Sequence, residues 1–276
     1  MKVLLRGLQE NRQFRILTML VGIIILLTIL APYIVPYDPL SSNMKASLLP
    51  PTSEHWLGTD KLGRDTFSRI LCAAQYTLSG VFALVAIVFI VGTVAGILAG
   101  FYGGKIDAII MRLADIMISF PGMILAIAVA GIMGGSLINS LLAVAVVSWT
   151  KYARLIRSMV LQVKHSDYVD AAIINGGTRW HILWRHIAPN VLSVAVVTAV
   201  TDIGSLMMEL AGLSFLGFGV QAPAPEWGLM LNEGRQFLQS APWLMMFPGL
   251  AIFVTVIIFN LWGDSVRDVV DPRQEV

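Results

Sequence analysis

Residues 78–101, LSGVFALVAIVFIVGTVAGILAGF, decide the solvent in which this chain folds. The stretch carries no charge, and at 1.5 Å per residue it is long enough to cross the roughly 30 Å hydrocarbon core of a bilayer. Hydrocarbon offers backbone N–H and C=O groups no partner, so such a stretch satisfies them internally as a helix. A strand of a membrane barrel would alternate polar and apolar side chains, and this one does not. Working outward, comparable runs at 16–35, 113–133, 137–154, 191–215 and 242–263 predict an all-α integral membrane protein with six transmembrane helices.

Composition agrees. A chain of 276 residues that is 57% hydrophobic and 13% charged, against roughly 25% charged residues in an average soluble domain, cannot hide its apolar surface in water. A net charge of +2 is too small to point to nucleic acid. Cys72 is the only cysteine, which excludes an internal disulfide, a CxxC redox pair and a thiolate metal site. The basic segment 1–15 precedes a run that is longer than a signal-peptide core and ends at Pro32, Pro36 and Tyr37, so a retained signal anchor is predicted.

If successive connections alternate sides, one side holds Lys2, Arg6, Arg12, Arg15, Lys105, Arg112, Lys151, Arg154, Arg157, Lys164, Arg179, Arg185, Arg267 and Arg273. The other holds only Lys45, Lys61, Arg64, Arg69 and Arg235. The positive-inside rule then predicts both termini in the cytoplasm. Three regions follow: 1–77, an N-terminal segment, first span and external loop; 78–264, a five-helix core with a cytoplasmic loop at 155–190; and a cytoplasmic tail at 265–276.

The cytoplasmic loop reads as structured. Asp167 to Asn175 predicts a short helix opening near Ser166 and ended by Gly176-Gly177. A second begins at the N-cap Thr178 and runs to Ile187, where Pro189 is expected to stop it. Trp180, Leu183, Trp184 and Ile187 fall at i, i+3, i+4 and i+7, predicting one apolar, aromatic face opposite Arg179, His181, Arg185 and His186. Such a face suits either headgroups or a protein partner, whose hot spots favour Trp and Arg.

On the other side, the segment His55-Trp56-Leu57-Gly58-Thr59-Asp60-Lys61-Leu62-Gly63-Arg64-Asp65-Thr66-Phe67-Ser68-Arg69 is dense in turn formers and opposite charges. Gly58 and Gly63 allow tight turns, while Asp60, Arg64, Asp65 and Arg69 are placed to pair within the loop or with a partner. Catalysis through His55 and Asp60 has no paired nucleophile behind it.

Asp170-Ala171-Ala172, Gly176, Ile187 and Pro189 together resemble the cytoplasmic loop signature of ABC-importer permeases, with Asp where that family usually has Glu. The segment from His55 to Arg69 resembles the peptide and nickel branch of that family, in particular its C-type permease. So do Leu213-Ser214-Phe215-Leu216-Gly217-Phe218-Gly219, Pro225-Glu226-Trp227-Gly228, Asn260-Leu261-Trp262-Gly263-Asp264, Arg267-Asp268 and Asp271-Pro272. The resemblance implies the type I ABC-importer permease fold, with 170–189 as the helix that couples to an ATPase. It also implies a homologous B-type permease, one or two ATPase subunits that bind ATP and Mg, and an external solute-binding protein. Di- and oligopeptides and nickel, free or chelated, are the solutes it leaves open. Asp202-Ile203-Gly204 and Ala224 to Gly228 look slightly closer to the nickel type. No GxxxxGK[ST] loop occurs in this chain, so nucleotide belongs on another polypeptide and no catalytic residue is expected here.

Asp202 and Glu209 fall within the fifth apolar run, where a carboxylate costs roughly 2.5–3.5 kcal/mol on insertion scales. Seven residues apart, they project from one side with Ser205 and Met208. They are read either as lining a translocation path or as pairing with Lys or Arg. Met207, Met208, Met245 and Met246 are read as packing rather than metal ligands. Gly92, Gly96 and Gly100 recur every four residues and predict a close helix contact. An ion-gradient-driven transporter using Asp202 and Glu209 is the alternative; it leaves the Trp-bearing loop without a purpose.

Overall fold

A computed structural model describes residues 7–270; Lys2, Arg6, Asp271, Pro272 and Arg273 lie outside the described residues. The described residues form helices joined by turns, with one isolated bridge between Thr59 and Asp65. Helix α1, Arg12–Ile34, is capped by Asn11, whose side chain accepts from Phe14 N at 3.0 Å. Helix α2, Thr66–Tyr102, spans 37 residues, so its ~55 Å length exceeds the hydrocarbon core. Its first turn, Thr66 to Arg69, closes the 55–69 motif, and Asp65 caps it by accepting from Ser68 N.

The third apolar run departs from expectation. Instead of one span at 113–133, the chain forms α3, Gly104–Ile118, and α4, Gly122–Met133, bent 93° from each other across Ser119-Phe120-Pro121. Pro121 supplies the cause: its ring disfavours helical backbone at Phe120, and it has no N–H to give. Helix α5, Leu137–Lys164, runs ten residues past the end anticipated for the fourth span, and its second half carries Lys151, Arg154, Arg157 and Lys164.

The next segment is also continuous where a stop was expected. After α6, Asp167–Ile174, helix α7, Arg179–Ile182, passes through a π-turn at Leu183–Ile187 straight into α8, Ala188–Thr201. Pro189 does not end it. In the wide turn Ala188 N–H bonds to Leu183 O, five residues back, and Pro189 then occupies the first turn of α8, where its missing N–H removes no necessary bond. Asp202 interrupts the fifth span before α9, Ile203–Phe215. Helix α10, Trp227–Gly234, lies in the following connection, and α11, Trp243–Val270, is the last long apolar helix. Among the described residues, four helices are long and apolar enough to cross a membrane, or up to five if the bent pair is one span.

Helices α2 and α5 pack closely because of the three glycines. A Cβ on Gly92 would lie 2.6 Å from Trp149 O, one on Gly96 2.6 Å from Ala153 O, and one on Gly100 2.7 Å from Val160 Cβ. The glycine stripe therefore faces within the chain. A main core joins residues such as Leu84, Val88, Tyr152, Met207 and Phe259. A second cluster of Ile156, Val160, Val169, Ile182, Leu183, Ile187, Val191 and Ala195 seats α6 and α7 on α5 and α8.

Candidate functional site

The loop at 155–190 is built from local rules and then divided by packing. Thr178 accepts from His181 N at 3.3 Å, as an N-cap should, and Gly176 takes the positive φ of 81° that reverses the chain after α6. The four residues expected on one face do not share an environment. Leu183 and Ile187 are buried with Val169 and Ile182, whereas Trp180 and Trp184 remain 62% and 60% exposed. The π-turn accounts for part of this, since five residues per turn-closing bond rotate Trp184 and Ile187 away from ideal α-helical spacing. The two indoles stack in parallel, with centroids 6.2 Å apart and planes within 1°. Asp170, Ala171, Gly176 and Pro189 are also exposed, Ala172 and Gly177 are half-buried, and Ile174 is an exposed apolar side chain at the end of α6.

The motif from His55 to Arg69 folds on itself. Arg64 and Arg69 are each only 1% exposed, which demands compensating charge. Asp60 supplies part of it: its carboxylate accepts from Arg64 Nε at 2.6 Å and from the backbone N–H of Leu62 and Arg64, and Arg69 Nε lies 3.5 Å away. The rest comes from Glu233, which accepts from Arg69 at 3.1 Å and Arg64 at 3.4 Å. Sequence reasoning missed Glu233, which is 164 residues from Arg69. Asp65 turns the other way, to His55 Nδ1 at 2.9 Å and to the start of α2. Gly63 is obligatory, with φ +69° and Asn43 carbonyl carbon 2.6 Å from where a Cβ would stand. The motif is thus a folded cap, with Gly58 at φ +73° closing its other turn.

The Pro-Glu-Trp-Gly motif also proves to be architectural. Glu226 caps α10 through Gly228 N and Leu229 N at 2.9 and 2.8 Å and accepts from Thr77 Oγ1 at 3.2 Å. Burial pushes its carboxyl above the ordinary range, against the pull of those donors. Trp227 Nε1 donates to Ile70 O at 2.9 Å, which ties α10 to α2.

Within the bundle, Asp202 is 8% exposed and receives Lys151 Nζ on both oxygens, at 2.6 and 2.9 Å. Glu209 is half-buried and accepts from Ser148 Oγ at 3.3 Å. Ser205 and Met208 are exposed on the same face, whereas Met207 is fully buried in the core. Lys151 and Ser148 were not singled out from sequence as partners of the two acids. In the second half of α5, Arg154 pairs with Asp115 and Arg157 with Asp107, fixing α3 to α5; the Asp107 carboxylate raises the Arg157 pKa.

A family described as the binding-protein-dependent transport system inner membrane component matches residues 92–276. The chain is 42% identical over 254 residues to the probable D,D-dipeptide transport system permease protein DdpC of Escherichia coli K12, covering 92% of this chain and 85% of that one. It is 40% identical to the nickel transport system permease protein NikC of the same strain, covering 96% of each. It is 46% identical to the glutathione transport system permease protein GsiD of Pectobacterium atrosepticum, covering 88% of this chain and 81% of that one. These values differ too little to favour one solute. In fold it is similar to a chain of the MetNI methionine ABC transporter, with a TM-score of 0.60 at 18% identity, covering 74% of this chain and 98% of that chain. The chain belongs to the binding-protein-dependent transport system inner membrane component family and is a permease subunit of an ABC importer in the inner membrane.

Proposed function

We propose that this chain spans the membrane six times with both termini in the cytoplasm, pairs with a homologous B-type permease, and passes a peptide-like or nickel-containing solute inward. An external binding protein delivers the solute, and separate ATPase subunits holding ATP and Mg drive the cycle; this chain carries no catalytic group. In this reading 1–77 forms the N-terminal segment, first span and external loop, 78–264 the five-helix core with the coupling loop at 155–190, and 265–276 the cytoplasmic tail. The names of its relatives support dipeptide, nickel and glutathione equally as solutes.

One observation carries the coupling assignment. The stacked, exposed pair Trp180 and Trp184 stands at the tip of a continuous 23-residue helical rod, Arg179–Thr201, that ends at Asp202. A rod of that length reaches ~34 Å, so a push on the indoles arrives at the polar face of α9 without an intervening loop to absorb it. Asp170, Ala171, Ala172, Gly176 and Gly177 form the neighbouring contact surface. Ile187, fully buried with Ile156, Val160 and Val169, holds the rod against α5 and α6, and Pro189 lies in the first turn of its α8 part. Closure of the ATPases moves this rod, and the face bearing Asp202, Ser205, Met208 and Glu209 alternates its access.

The test is co-purification. Replacing Trp180 and Trp184 together with Ala removes two exposed aromatic anchors of the kind that carry binding energy at interfaces, at about 2 kcal/mol or more each. The variant is expected to reach the membrane yet lose its ATPase subunits. Full assembly with normal uptake would reject the docking assignment.

A further inference from the structure

Two carboxylates share one face of α8 and α9 but differ in electrostatic circumstance. Asp202 is neutralised within the chain, because Lys151 Nζ donates to both of its oxygens at 2.6 and 2.9 Å. Glu209 receives only the Ser148 hydroxyl, at 3.3 Å, and among the described residues it forms no ion pair. A hydroxyl orients a carboxylate without cancelling its charge. Glu209 is half-buried, and the side chains beside it on this face, Ser205 and Met208, are open. An ionisable group so placed in an apolar bundle must meet a partner or water-filled space rather than lipid.

We infer that Glu209, oriented by Ser148, is the specificity-determining position of the path and selects solutes that present a positive charge, either a primary ammonium or a metal cation. The inference rests on the path assignment made above. The Lys151–Asp202 pair contributes no net charge to the selection. One unbalanced carboxylate on an otherwise neutral polar stripe attracts a cationic group and disfavours an anionic one, so the solute's charge is read a second time after the binding protein has released it.

The experiment uses the complete transporter in proteoliposomes, with its binding protein and ATP. Uptake is measured for alanyl-alanine, for N-acetyl-alanyl-alanine, in which the ammonium is removed, and for Ni2+. Each probe is compared between native and Glu209→Gln assemblies. The binding protein is the same in both, so its own preference cancels. The expected result is a loss of about ten- to hundredfold for the probe whose positive group Glu209 meets, the ammonium of zwitterionic alanyl-alanine or Ni2+, the range associated with a hydrogen bond to a charged group, and little loss for the acetylated dipeptide. Whether alanyl-alanine or Ni2+ suffers the loss identifies the source of the charge. Glu209→Asp retains the preference, and Lys151→Met with Asp202→Asn changes all probes alike. The inference is overturned if Glu209→Gln affects every probe equally or none, if the native assembly does not distinguish a cationic probe from the acetylated one, or if Glu209→Gln fails to assemble. The path assignment is read separately. In a Cys72→Ser background, Ser205→Cys and Met208→Cys must react with a membrane-impermeant thiol reagent. No reaction at either position rejects the path itself, whereas reaction with unchanged charge preference rejects only the role of Glu209.

Discussion

Glu233→Gln tests whether the cap formed by residues 55–69 is held by balanced buried charge. Arg64 and Arg69 are each 1% exposed, and the charges that balance them are Asp60 and Glu233. Neutralising Glu233 leaves one guanidinium charge uncompensated where water cannot reach it. Breaking one side of a buried pair costs about 3–5 kcal/mol. By the calibration for chains of this size, that lowers the melting temperature of the detergent-solubilised protein by on the order of 10 °C. Lys61 provides an internal control: its ammonium lies 3.8 Å from Glu233 and its side chain is 37% exposed, so Lys61→Met is expected to change stability by about 0.5 kcal/mol or less. A further variant separates charge balance from hydrogen bonding. Replacing Glu233 and Arg69 together with Met removes one charge of each sign and fills similar volume, so it recovers most of the loss. If Glu233→Gln melts within about 1 °C of the native chain, or if the double Met variant is worse than the single one, the balance argument is wrong.

Two other outcomes follow from the packing. Gly96→Ala places a Cβ 2.6 Å from Ala153 O and 2.7 Å from Ile156 Cβ, and backbone cannot yield cheaply; the expected cost is about 1–3 kcal/mol in thermal unfolding, while Gly22→Ala, with nothing within 4 Å of its Cβ, is expected to be neutral. Burial raises the Glu226 carboxyl, so the folded chain keeps that proton to higher pH than the unfolded chain. The corresponding stability is fully present below the unfolded carboxyl pKa of roughly 4.3 and is lost as pH rises through the folded value. The melting temperature of the native chain relative to Glu226→Gln should therefore fall with rising pH across that window, and a difference that grows instead reverses the sign.

The parts of this fold legible in the sequence are those set by a solvent or by a few consecutive residues. Hydrocarbon imposes the long apolar helices whatever they pack against, so the run at 78–101 could be read alone. Thr178 as an N-cap and Gly176 as a reversal are local decisions and appear where the residues put them. The break at Ser119-Phe120-Pro121 was also written locally, since proline constrains the residue before it, but an unbroken apolar average conceals a bend. Pro189 misled in the opposite direction: a stop signal is only a preference, and a π-turn satisfied it without ending the helix. The pairings were out of reach for a different reason. A spacing of seven puts Asp202 and Glu209 on one side of a helix, but it cannot say which is neutralised, because Lys151 arrives from another helix 51 residues earlier. The same holds for Arg69 and Glu233 across 164 residues. A buried charge announces in the sequence that a partner must exist; only the packing of α5 against α9, or of the 55–69 loop against α10, decides who that partner is and which charge is left without one.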